Sequence, residues 1–137
     1  MNLNQIHGAA VLMWTPVVGN LVLALWAAVL RRLGRRVLPP AFWAALLLVL
    51  AVLALQGAAG LLLVLGGARP AAGLHLLYAV LVVLGGAAQY GLRPGAFLRR
   101  AVVPAPGELD EPRVLALLCF TQALLIVRAW MTGAGGR

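Results

Sequence analysis

His7 and His75 are the only two histidines of a 137-residue chain, and each lies near the end of an apolar run long enough to cross a membrane. Two imidazoles facing one another across helices are the ligand set that a haem iron or a transition-metal ion takes. Arg128 lies inside another apolar run, about one turn from its end and at the depth expected of His75. An ionisable group in such a run is costly and marks a functional site with a partner. Carboxylates of a bound cofactor are one such partner, and Arg69, in an adjacent turn, is a second donor for them. The plainer reading of Arg128 is a side chain that snorkels to lipid phosphates.

The elements that must position these residues follow from composition. The chain is 64% hydrophobic and 10% charged, whereas a soluble domain carries about a quarter charged residues. About 20 apolar residues cross the hydrocarbon core, and four stretches qualify: Ile6–Leu30, Ala41–Leu65, Ala71–Tyr90 and Val114–Met131. No Lys or Arg precedes the first run, which is too long for a signal-peptide core, so it is expected to stay as a span. Backbone groups inside a bilayer must bond internally, so each span is expected to be helical.

Short connections between the spans predict an all-α, up-down-up-down four-helix bundle, residues 1–137 forming one membrane domain. Gly34 and Pro39-Pro40 separate the first two spans, and Gly66-Gly67 with Arg69-Pro70 the second and third. The stretch 93–112 holds four prolines and all three acids and reads as the one long loop. Within it, Asp110 and Glu111 before Pro112 fit a helix N-terminus, and Gly133 fits a helix stop. Small residues at helix-contact spacing (Gly8, Thr15 and Gly19; Gly57 and Gly60; Gly85 and Gly86) permit close backbone approach.

The net charge of +8 comes from eleven arginines and no lysine against three acids. Nucleic acid is not the implied partner, because the arginines sit in short loops beside apolar spans; the implied partner is the lipid bilayer. Arg31, Arg32, Arg35 and Arg36 fall in the first loop, and Arg93, Arg99, Arg100 and Arg113 in or beside the third. Only Arg69, Arg128 and Arg137 fall at the other side. By the positive-inside rule both termini lie outside, the long loop lies in the cytoplasm, and both histidines lie toward the outer leaflet of a bacterial plasma membrane. Trp26 and Trp43 read as inner-interface anchors and Trp130 as an outer one.

On the third span the His75 face continues through Ala79, Val82 and Gly86, with Tyr78 at its flank, and its small residues are expected to leave room for a flat macrocycle. Gln56 reads as an interhelical hydrogen-bonding residue and Cys119 as packing. The single cysteine excludes an intrachain disulfide. The spans hold no carboxylate, which argues against proton-coupled transport, and no hydrolase or nucleotide motif is present.

Four spans with Leu74-His75-Leu76-Leu77-Tyr78 in the third resemble small membrane-embedded b-type cytochromes. They also resemble four-span bacterial proteins with an N-terminal His and a final Arg-Ala-x-x-Thr-Gly, here residues 128–133. The resemblance implies haem b held by His7 and His75, with Arg128, Arg69 and Tyr78 beside it, in electron transfer or haem handling. Two histidines allow one bis-histidine haem per chain, so a complete transmembrane electron path would need a homodimer or a larger complex. The alternatives from other classes are a non-catalytic accessory subunit of a respiratory or photosynthetic membrane complex, and a binder of a quinone or other lipid-like ligand.

Overall fold

The computed structural model describes residues 10–67, 73–103 and 109–134, and every regular element among them is helical. The helices are α1 (Ala10–Arg32), α2 (Pro40–Leu65), α3 (Gly73–Gly91), α4 (Phe97–Val102) and α5 (Glu111–Ala134). All but α4 are long and apolar enough to cross a membrane.

The breaks follow local chemistry. At the end of α1, Gly34 takes φ 75°, with Gly34 N–H donating to Arg31 O and Arg35 N–H to Leu30 O. This paired closure needs a left-handed residue, which glycine adopts without a Cβ penalty. Helix α2 starts at Pro40, where a missing N–H costs nothing. Helix α5 starts at Glu111 as its acids predict, and Asp110 Oδ1 accepts from Arg113 N–H at 3.2 Å to cap it.

Two readings of the sequence change. The stretch 93–112 is not all loop, since α4 lies within it. Six residues free of Gly and Pro form a turn there, and Leu98 packs so closely on Gly91 that a Cβ at Gly91 would lie 2.8 Å from the leucine Cβ. Gly133 does not end α5, which continues to Ala134.

The bundle is organised by one helix pair. The buried residues of α1 are Met13, Pro16, Val17, Asn20, Leu23, Ala24 and Ala27. Those of α5 are Glu111, Pro112, Leu115, Cys119, Gln122, Ala123 and Ile126. Both stripes step by three and four residues, the spacing that keeps a seam between two helices. Lipid tails are as apolar as leucine, so this pairing rests on close packing and polar contacts and not on escape from water.

Helix α2 joins the core through its first turns, where Phe42, Trp43 and Leu46 are buried with Leu23, Ala27, Leu115 and Cys119. Gly19 meets α2 closely; a Cβ there would lie 2.6 Å from a methyl of Val49. Further along α2 only Ala59 is buried, and a Cβ added at Gly57 would meet nothing within 4 Å, so it is not a contact glycine. Helix α3 packs mainly on α5 and loosely on α2, and it reaches α1 through side chains, Gln89 to Asn20 and Val82 to the cluster of Met13 and Val17. Trp43 is not an interface anchor: it is 8% exposed and stacks edge-on with Phe42, which in turn meets Trp26.

At one end Glu111 ties the first and third loops together. Its side chain is 1% exposed; Oε2 accepts from Leu38 N–H at 2.8 Å and Oε1 from the Arg99 guanidinium. Its own N–H donates to Arg36 O. Beside it Arg31 pairs with Asp110 at 3.0 Å. Both arginine-rich loops therefore lie at the same end of the bundle.

Candidate functional site

His75 lies in the first turn of α3, at the end opposite the arginine-rich loops, with its ring half-buried against α5. Its Nδ1 lies 2.8 Å from the carbonyl oxygen of Ala129. A carbonyl only accepts, so Nδ1 carries a hydrogen and donates it here. Gly133, one turn past Ala129, makes this approach possible. A Cβ there would lie 2.8 Å from Cε1 and 2.9 Å from Nδ1 of the imidazole. The Thr132 hydroxyl donates to Arg128 O and Ala129 O, both at 3.0 Å, so the acceptor of the histidine belongs to a turn that is itself tied down.

The depth match expected between His75 and Arg128 is present, because Arg128 immediately precedes Ala129. Its side chain is exposed on the face of α5 that also carries Leu117, Thr121 and Leu124, and it makes no ion pair among the described residues. Tyr78 follows His75 by three residues and is partly buried. Trp14 of α1 and Trp130 of α5 meet nearby, with ring centroids 6.5 Å apart. His7 and Arg69 lie outside the described residues.

The room expected below His75 is taken by neighbouring helices. A Cβ on Gly86 would be in ordinary contact with Leu50 and Leu53 of α2. Val82 packs beside Met13, Val17, Ala123 and Ile126, and its carbonyl accepts from Gln122 Nε2 at 2.9 Å. The face of α3 below His75 therefore serves helix packing at Val82 and Gly86.

A second polar locus lies deep in the bundle and was missed by sequence reasoning. Asn20, Gln89 and Gln122 are all buried. Gln89 Nε2 donates to Asn20 Oδ1 at 2.8 Å and to Cys119 Sγ at 3.3 Å, joining α1, α3 and α5. Asn20 Nδ2 in turn donates to Pro16 O. A Cβ on Gly85 would lie 2.0 Å from Gln122 Oε1, so this glycine is the seat of the glutamine. The available signal was the presence of these carboxamides within apolar spans, where they need partners in lipid. Cys119, expected only to pack, also accepts a hydrogen bond.

No group of three or more His, Cys, Asp or Glu gathers among the described residues. A metal held by several side chains thus has no frame there, whereas a haem iron, whose porphyrin supplies four nitrogens, asks the protein only for axial ligands. The bond from His75 to the Ala129 carbonyl fits that requirement, since a ligating histidine ordinarily donates its other N–H to a carbonyl or carboxylate. No known protein family, curated protein or solved structure matches the chain.

Proposed function

We propose that this chain is a membrane haem b protein carrying one haem between His75 and His7, acting in electron transfer or haem handling. The observation that carries the reading is the bond from His75 Nδ1–H to the Ala129 carbonyl. It holds the ring by an N–H to a backbone carbonyl, as an iron-ligating histidine is ordinarily held. Arg128, one residue from that carbonyl, and Arg69 would meet the haem propionates, and Tyr78 would flank the ring. A bound haem supplies reversible one-electron chemistry.

The topology belongs to the same proposal: four antiparallel spans in a bacterial plasma membrane, with both termini and the haem on the outer side. Support comes from the eight arginines of the first and third loops, which Glu111 gathers at one end.

Purified protein expressed with added haem is expected to show a Soret band. His75→Ala and His7→Ala should each shift or abolish it while the chain remains folded by circular dichroism. Absence of Soret absorbance in the wild type would overturn the reading.

A second reading is favoured by the far half of α2, where Leu55, Leu61, Leu62 and Leu65 are exposed. On this reading the chain packs as an accessory subunit on a larger membrane complex. Purification as a colourless component of a larger assembly would favour it over the haem reading.

A further inference from the structure

The end opposite His75 holds a second site. Arg31, Arg32, Gly34, Arg35, Arg36 and Asp110 line a concavity of about 320 Å³ where α1 meets the start of α5. Its charges do not cancel. Asp110 is engaged by Arg31, and the adjacent Glu111 is turned inward to Arg99 and Leu38. Arg32, Arg35 and Arg36 make no ion pair among the described residues. The left-handed turn at Gly34 folds one arginine pair back beside the other.

The same loop carries two exposed apolar side chains, Leu33 at 71% and Val37 at 62%. Alternation of exposed apolar groups with guanidiniums suits the boundary between acyl chains and headgroups, where arginine extends its charge toward phosphate. We propose that this concavity binds the phosphate of an anionic phospholipid, the arginines taking the phosphodiester and Leu33 and Val37 lying along the acyl chains. The chemistry recognised is a phosphate anion; the apolar pair is what assigns it to a lipid and not to free phosphate.

Native mass spectrometry of the full chain in neutral detergent, titrated with phosphatidylglycerol or phosphatidylcholine, tests this. Phosphatidylglycerol should be retained in clear preference, and the preference should fall with added salt. Each arginine at such a surface contributes about fivefold, so Arg35→Gln with Arg36→Gln should weaken retention by at least tenfold. Arg93→Gln with Arg100→Gln removes the same charge from residues that do not line the concavity and should change it by less than about threefold.

Equal retention of the two lipids by the wild type would overturn the site, whether or not the variants fold. Equal losses in both double variants would reduce it to general charge and overturn it as well. Displacement of the lipid by millimolar inorganic phosphate would overturn the lipid assignment in favour of the free anion.

Discussion

The arginine-rich end and the histidine end of this bundle are held together by different means. At the first, Glu111 accepts from a backbone amide of one loop and a guanidinium of the other, above a core of Leu38, Phe42, Leu46 and Leu115. At the second, α2 and α3 are largely exposed, and His75 of α3 bonds to the Ala129 carbonyl of α5. Among the described residues, the larger buried cluster and the buried carboxylate lie together at the charged end. Among the described residues, the end proposed to carry the chemistry holds fewer buried ones, as functional regions of low local stability often do.

The largest test of that difference is Glu111→Ala. It strands the Leu38 N–H and leaves Arg99 without its carboxylate, and loss of one partner from a buried pair costs about 3 kcal/mol. Unfolding in mixed micelles should show this, while a haem signal from the other end persists in the fraction that remains folded. Loss of both in parallel would show that the two ends are not separable.

Between the ends, Gly85→Ala should cost about 1–3 kcal/mol, because its methyl would lie 2.0 Å from Gln122 Oε1 and displace the amide from Val82 O. Gly57→Ala, with nothing within 4 Å, is expected to be neutral or slightly stabilising in the same assay. Equal effects at the two glycines would contradict the packing of α3 on α5.

The smallest effect concerns pH at the arginine-rich end. The Arg31 guanidinium, aided by the Arg113 N–H, holds the Asp110 carboxyl below its ordinary value. A depressed folded-state pKa gives stability that is present above the unfolded value, about 3.9, and lost as pH falls through the folded one. The pair is exposed and screened by solvent, so the gain is about 0.5 kcal/mol or less. Arg31→Gln should flatten acid destabilisation below about pH 4 by that small amount. A larger change would mean that Arg31 does more than pair with Asp110.

What was legible in the sequence was whatever depends on neighbours along the chain. Apolar length marked the four spans, Gly34 the end of α1, and Asp110 with Pro112 the start of α5. What depends on how helices rotate against one another was not legible. Trp43 carries the same indole whether it faces headgroups or Phe42. Gly133 looked like a helix stop because nothing nearby in the sequence announces the imbalance it accommodates, an imidazole arriving from 58 positions earlier. At the candidate site, the depth of His75 and Arg128 could be counted from span ends. The Ala129 carbonyl that holds the histidine could not, because a backbone acceptor has no residue type.

Leu38 and Glu111 are 73 residues apart in sequence. During synthesis, the hairpin of α1 and α2 is complete long before α5 emerges, and until then the Leu38 N–H has only water or headgroups to meet. The carboxylate that satisfies it arrives with the last span. The bond is thus a closing stitch: it forms only once the last span has packed against the first two, and a chain that stops short of α5 lacks it.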